Sequence, residues 1–398
     1  MSRSAEDEFR ARIGEQLGTE PDRISLFAKG RVALYAVLRA LEVQPGDEVI
    51  LPAFTCVAVP NAIMYAGAKP VWVDVDAATY TIDPAAAAAA ITPQTRAILG
   101  QNTFGLDADL DALAIIAHGH GLALIDDCTH GLGGSYGGRP SGSIADLSFF
   151  STQWSKPIST GLGGFSVARD GAMARRVRAL EDAARRPSPA STALLRALIA
   201  ARERVASARV LDGGRAVYRA LSRGGIVPGS SSGDELAGPV MPDGFLARMS
   251  PMQARLGAER IGGLAALVDR RTEIAARYST WLQERGYTPA PERPGSRHAF
   301  LRYPILVTDR PTFMAAARRA GIDVGDWFVS PVHPVETALD RWGYRAGLAP
   351  QAEAICRAIV NLPTDPAFDV ADVDRILGFL EANRRFLELA GVASSGAG

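Results

Sequence analysis

Between residues 24 and 170 the chain alternates short apolar runs with stretches of helical spacing. The apolar runs predict strands at 48–51, 71–75, 97–101, 122–126, 147–151 and 164–168. Between them, 31–41, 57–66, 109–119 and the alanine-rich stretch at 85–90 space their apolar residues as helices do when they bury one face. Strands alternating with helices imply βαβ units, a mostly parallel sheet and helices on both of its faces. Ligands of such sheets bind beyond the carboxyl ends of the strands. The polar residues that close each apolar run are therefore where chemistry is expected.

The pattern changes over 183–245. Arginine- and alanine-rich helical sequence there is flanked by loops rich in Pro, Ser and Gly, as in an inserted helical hairpin. Between Arg196 and Arg223 seven arginines stand against Glu203 and Asp212. Such a surplus fits a solvated helical face, or a basic surface for an anionic substrate, a partner or a membrane. A long helical pattern then runs over 249–286, broken near Gly262 and Gly263. A strand at 300–307 and helices at 312–320, 351–360 and 370–383 complete what reads as a smaller α+β domain. No internal repeat is visible.

Composition narrows the function. The chain has 398 residues, 47% of them hydrophobic and 22% charged, as in a soluble protein of two to three domains. Lys+Arg and Asp+Glu are both 43, and this balance argues against a nucleic-acid binder. The first residues are charged and show no secretory signal. No apolar run approaches the roughly 20 residues of a membrane span. Cys56, Cys128 and Cys356 are far apart and form no C-x-x-C pair, so neither a zinc site nor a disulfide framework is expected, and a reducing cytoplasm is. Only three residues are lysine, Lys29, Lys69 and Lys156, while 40 are arginine. Each lysine in such a chain needs a reason.

Three segments carry candidate chemistry. In LALIDDCTH (122–130) an apolar run ends in two aspartates, placing a carboxylate at the sheet's edge. It could orient a base, pair with a protonated ring nitrogen, hold a metal or simply cap a helix. In LSFFSTQWSKPISTGLGGF (147–165) Lys156 stands between an apolar strand and a glycine-rich turn. Apolar surroundings lower a lysine's pKa and make it a usable nucleophile, whereas the plain alternative is a surface-loop lysine. Ser151, five residues upstream, offers a hydroxyl to an anion. In FAKGRVAL (27–34) Gly30 opens a helix whose free N–H groups could bind phosphate, with Arg31 in the first turn. The glycines of GLGGSYGG (131–138) open no helix after a strand and are not a dinucleotide fingerprint.

With these segments in place, the sequence resembles the DegT/DnrJ/EryC1/StrS aminotransferases. The likeness extends over 24–170 and 244–385 through PGDEVILPAFT (45–55), AGAKPVWVDVD (66–76), TYTIDP (79–84), ITPQTRAI (91–98), GSIADLSFFS (142–151), SKPISTGLGG (155–164) and RMSPMQARLG (248–257). The resemblance implies a pyridoxal-phosphate enzyme of fold type I. Its α/β architecture would be a mostly parallel seven-stranded sheet sandwiched by helices, plus a smaller C-terminal α+β domain. On this chain that gives a cofactor domain at 1–248, with the helical insertion at 183–243, and a long helix and small domain at 249–398.

Residue by residue, Lys156 matches the lysine that holds the cofactor covalently and moves the substrate proton. Asp127 matches the aspartate on the pyridinium nitrogen, and His130 the residue beside the phenolic oxygen. Ser151, Gly30 and Arg31 match the phosphate site. Cys56 falls where an aromatic ring usually stacks on the cofactor, and Leu246 where an asparagine usually reaches the neighbouring subunit's phosphate. Trp327 lies near a histidine common in the family, while Pro331 and His333 keep the family's pattern; Trp327 and His333 are expected at the substrate.

The implied reaction is transfer of an amino group, from glutamate, onto a ketone, most commonly that of a nucleotide-linked keto-deoxy sugar. A non-sugar acceptor such as a cyclitol is the alternative. A sugar 3-dehydratase is disfavoured because those enzymes carry His where this chain has Lys156, and a binding protein without turnover because Lys156, Asp127 and Ser151 are retained. A homodimer with shared sites is expected, with a small-molecule substrate and an amino donor, and neither nucleic acid nor metal. Membrane association of the basic insertion has no support in the sequence.

Overall fold

A computed structural model describes residues 4–207 and 233–389. Its strands are β1 (Ile24–Phe27), β2 (Glu48–Pro52), β3 (Thr55–Cys56), β4 (Lys69–Val73), β5 (Thr95–Gln101), β6 (Ala123–Asp127), β7 (Ser135–Tyr136), β8 (Arg139–Pro140), β9 (Leu147–Ser151), β10 (Gly164–Ala168), β11 (Tyr303–Leu306), β12 (Val332–His333) and β13 (Ile359–Leu362). The helices are α1 (Ala5–Leu17), α2 (Gly30–Ala40), α3 (Ala58–Tyr65), α4 (Pro84–Ala89), α5 (Leu110–Gly119), α6 (Gly171–Ala183), α7 (Pro189–Ser207), α8 (Gly233–Ala237), α9 (Pro251–Ile261), α10 (Leu264–Glu284), α11 (Arg310–Arg319), α12 (Pro350–Ala358) and α13 (Val370–Ala382).

Seven strands form the central sheet in the order β1-β10-β9-β6-β5-β2-β4. All are parallel to their neighbours except β10, which runs antiparallel to both β9 and β1. The strands β9 and β10 are buried along their whole length, as a sheet covered on both faces requires. Helix α2 is nearly all apolar (GRVALYAVLRA) and is buried over most of its surface, so it packs as an interior helix rather than a surface one. A second core gathers Ile274, Tyr278, Tyr303, Phe313, Val360, Ile376 and Leu380 from α10, β11, α11, β13 and α13. Helix α10 serves both parts: Leu264 and Val268 pack with the sheet-side residues Phe150 and Phe165, and Ile274 onward with the C-terminal elements.

The expected elements shift in places for physical reasons. The helix expected over 351–360 ends at Ala358, because Ile359–Leu362 pairs antiparallel with β11. Two β-branched residues, Ile359 and Val360, suit that pleated surface better than another helical turn. The strand expected at 71–75 is β4, displaced by two residues and paired in parallel with β2. The long helical pattern breaks at Gly262 and Gly263 as read, giving α9 and α10. Of the basic stretch 196–223, residues 208–223 lie outside the described residues. Among the described residues no helix is long and apolar enough to cross a membrane.

Candidate active site

The sheet topology brings the three sequence segments to one edge. Strand β6 ends in Asp127, whose sheet neighbours are Gln101 at the end of β5 and Phe149 in β9. Next in line, β9 ends in Ser151, opposite Gly164 in β10. Helix α2 begins against this point. A Cβ built on Gly30 would sit 2.9 Å from the Ser151 Cβ and 3.0 Å from the Phe150 carbonyl oxygen. Only glycine lets the helix start approach the strand end so closely. That places the amide groups of an 11-residue helix N-terminus beside the Ser151 hydroxyl, a combination suited to an anion.

The segment between β9 and β10 is folded back on itself. Thr152 N donates to Gly163 O at 2.9 Å, Thr160 N donates to Thr152 O at 2.8 Å, and the two threonine hydroxyls are 2.7 Å apart. Gly163 has φ 149°, and a Cβ there would lie 2.3 Å from the Thr152 Oγ1, while a Cβ on Gly164 would lie 2.4 Å from the Gly30 Cα; these explain the last glycine pair of the T-G-L-G-G turn. Lys156 rides on this closed loop, its N–H donating to Gln153 O at 3.0 Å. Outside, Leu195 and Ile199 of α7 pack against Gly161, and Arg202 donates to the Trp154 carbonyl at 3.2 Å. The first helix of the insertion thus braces the lysine loop from behind.

Burial pulls the Lys156 ammonium down to about 8, with a smaller push from Arg31, against the pull of Asp127 and Cys56. Burial also raises the Asp127 carboxyl, opposed by the Thr129 N–H donating to it at 3.0 Å and by the Lys156 charge. Each of these two buried groups thus feels the other's charge, in a low-dielectric setting where opposite charges interact strongly. The His130 ring stacks on Trp327 with centroids 5.1 Å apart and planes 10° from parallel. Burial drives His130 well below its ordinary pKa, so it is a neutral ring, and its Nδ1 is buried without a hydrogen-bond partner. Trp327 is clamped by Asn361: its N–H donates to Asn361 Oδ1 at 2.9 Å and its carbonyl accepts from Nδ2 at 2.8 Å. Lys156 Nζ lies 5.4 Å from the Trp327 ring centroid.

The remaining expected residues fall around this centre. Cys56 and His333 are register partners in the parallel β3–β12 pair, and Cys56 acts electrostatically on Lys156. Burial lowers the His333 pKa, and its Nδ1 accepts the Val329 N–H at 3.1 Å. Arg31 is buried, and its Nη1 donates to Glu235 Oε1 at 2.5 Å. Sequence reasoning missed Glu235, since 204 positions separate it from Arg31 and neither residue signals the other. Leu246 is partly buried against the large core, with its carbonyl accepting from Arg185 N at 3.0 Å. Cys56, Cys128 and Cys356 are free thiols. Among the described residues no group of three or more His, Cys, Asp or Glu side chains could hold a metal.

Tested against pyridoxal phosphate, the donor set fits. The helix start cradled by Gly30 and Ser151 suits its phosphate, the buried Asp127 its ring nitrogen, and the Lys156 amine, which burial makes easier to deprotonate, its aldehyde. The orphaned His130 Nδ1 is a ready hydrogen-bond partner for a polar group of the ring.

Comparison with known proteins agrees. The model of the DegT/DnrJ/EryC1/StrS aminotransferase family matches residues 4–204 and 215–381. A UDP-N-acetyl-3-dehydro-alpha-D-glucosamine 3-aminotransferase of Acidithiobacillus ferrooxidans is 30% identical over 352 residues, spanning 88% of this chain and 81% of that protein. An L-glutamine:scyllo-inosose aminotransferase of Streptomyces griseus is 46% identical over 151 residues, 38% of this chain and 36% of that one. The crystal structure of DesV from S. venezuelae superposes with a TM-score of 0.75 at 25% identity, covering 98% of this chain and 91% of that one.

Proposed function

This chain belongs to the DegT/DnrJ/EryC1/StrS aminotransferase family and is a pyridoxal-phosphate-dependent aminotransferase; on that premise we propose that it carries the reaction on Lys156, moving an amino group from an amino acid, glutamate first among candidates, to the keto group of a nucleotide-linked keto sugar. The observation that carries the residue assignment is the buried Lys156 amine, lowered to about 8, under the charge of Asp127 and 5.4 Å from the Trp327 ring centroid. Bound pyridoxal phosphate supplies an electron sink that lets a proton leave the carbon bearing the amine.

The chain's own residues supply the rest. Gly30, Ser151 and the α2 N-terminus bind the phosphate, with Arg31 adding positive charge shared with Glu235. Asp127 holds a proton on the ring nitrogen. Its raised pKa favours a partner that brings a positive charge into the same buried space. Lys156 Nζ takes a proton from one carbon and returns it to the other, which needs an amine that is neutral part of the time near neutral pH. His130 and Trp327 form a flat wall that fixes the ring plane and excludes water. His333 and Trp327 face the substrate.

The wide coverage of the UDP-sugar relative supports the nucleotide-sugar acceptor. The higher identity to the scyllo-inosose enzyme, confined to 151 residues, favours a second reading in which the acceptor is a cyclitol ketone. The reading includes a homodimer, and a division near residue 249 between a cofactor part and a C-terminal part; the separate core within 274–387 supports it, while Phe328, Val332, Trp342 and Ile359 pack with the sheet side. The test is to incubate the holoenzyme with L-glutamate or L-glutamine and either a UDP-linked 3-keto sugar or scyllo-inosose. Aminated nucleotide sugar is the expected product. Amination of the inosose alone transfers the assignment to the second reading, and amination of neither contradicts both.

A further inference from the structure

Beside the phosphate site the protein places an anion of its own. Arg31, in the first turn of α2, donates Nη1 to Glu235 Oε1 at 2.5 Å, and the two side chains are 5% and 2% exposed. Glu235 belongs to α8, the five-residue helix near the C-terminal end of the helical insertion. The Arg31 charge acts on Lys156, and both charges of the pair act on Lys29, the residue before Gly30. The pair therefore lies within electrostatic reach of the helix start and of the reacting amine alike.

Helix α8 is fastened across the molecule like a strap. The Asn61 side-chain amide donates to Glu235 O at 2.9 Å, and the exposed Arg341 donates to Ala237 O. Leu236 is only partly buried against the sheet-side core. From α8 the chain runs on to Ala247, whose carbonyl accepts the Ala28 N–H at 2.9 Å just before α2 begins. Tyr65, at the end of α3, offers Glu235 a second donor. Its hydroxyl is buried without a hydrogen-bond partner among the described residues, and burial, followed by the Glu235 charge, pushes it up to about 12 against the effect of Arg31. Glu235 thus has a place to turn if another anion takes Arg31.

Glu235 and a phosphate are both anions, and in a buried setting each reduces what Arg31 has left to offer the other. We propose that α8 is a strap whose Glu235 competes with the cofactor's phosphate for Arg31, so that docking of the strap weakens cofactor binding and bound cofactor loosens the strap. The coupling is reciprocal, as linkage between two binding events must be. The proposal rests on the reading of the α2 start as the phosphate site.

The test measures binding of pyridoxamine phosphate and of pyridoxamine to the full chain freed of cofactor, by equilibrium dialysis. Neither compound has an aldehyde, so Lys156 forms no bond to them. Glu235→Gln should tighten pyridoxamine phosphate by about tenfold and leave pyridoxamine within about twofold, because the effect passes through the phosphate. In the wild type, amide exchange over residues 235–237 should speed up when pyridoxamine phosphate is added and not when pyridoxamine is. Pyridoxamine phosphate binding that is unchanged or weaker in Glu235→Gln overturns the proposal, since cutting a merely structural pair would loosen the site. Exchange that stays the same or slows overturns it as well. Should Glu235→Gln fail to fold, Arg341→Ala decides alone: it releases α8 from outside the site and should tighten pyridoxamine phosphate by about threefold, with no tightening counting against the strap. A wild type that binds pyridoxamine phosphate no better than pyridoxamine would instead remove the phosphate reading on which the proposal stands.

Discussion

At the scale of single residues, burial does the chemical tuning. Lys29 and Lys156 both have ammonium groups brought down to about 8, chiefly by desolvation. Each is neutral above about 8 and charged below it, and only the neutral amine attacks an aldehyde. The rate at which the cofactor-free protein captures pyridoxal phosphate should therefore rise about tenfold per pH unit up to about 8 and level off there. A rise continuing toward 10.5, the ordinary lysine value, would mean that the reacting amine is exposed. What separates the two lysines is placement: Lys29 precedes α2, whereas Lys156 feels the charge of Asp127 and lies 5.4 Å from the Trp327 ring centroid. Gly30→Ala tests the anion site. The added Cβ would meet Ser151 and the Phe150 carbonyl at 3.0 Å or less and must push α2 off β9. Retention of pyridoxal phosphate, read by equilibrium dialysis, should weaken by at least tenfold, about 1.4 kcal/mol. Lys156, Asp127 and Ser151 were legible because each closes or follows an apolar run that the sheet must bury. Asn361 was not, since a polar residue within a buried strand does not reveal what the opposite part of the molecule will place against it.

At the scale of elements, the loop carrying Lys156 is held by helices distant in sequence. Helix α9 starts with a capping box in which Ser250 and Gln253 satisfy each other's backbone N–H groups, with Pro251 in the first turn. The Gln253 side-chain amide also donates to the Leu162 carbonyl in the glycine-rich turn. Ser250→Ala should cost about 1 kcal/mol from the cap, seen as a lower urea midpoint. It should also raise amide exchange at Gly161 and Gly163 more than at β6. An unchanged midpoint would show that the cap is dispensable. The strands β9 and β10 coincide with their sequence-predicted limits because buried strands of a doubly covered sheet read as continuous apolar runs. Helix α1 escaped notice. Its buried Phe9, Ile13 and Leu17 recur every four residues, but the stretch is otherwise charged and short of apolar signal. At β13, pairing with β11 overrides a helical pattern that was locally plausible.

At the scale of the whole molecule, α10 ties the sheet side to the C-terminal core, while the stacked pair of His130 and Trp327 closes the seam between them at the site. The doubly wound class and the strand edge that carries the site followed from the alternation of strands and helices. The joining of the two halves did not, because it depends on contacts between residues some 200 positions apart. Sedimentation equilibrium should give twice the 42.1 kDa chain mass at micromolar concentration, in line with the proposed homodimer, and a strictly monomeric active enzyme would rule that arrangement out. The most direct check of the central assignment uses the scarcity of lysine. Reductive trapping of pyridoxal phosphate on the protein, followed by peptide mass spectrometry, can place it only on Lys29, Lys69, Lys156 or the amino terminus. The account predicts the label on Lys156 and its loss in Lys156→Ala; a label on Lys29 in the wild-type protein would contradict it.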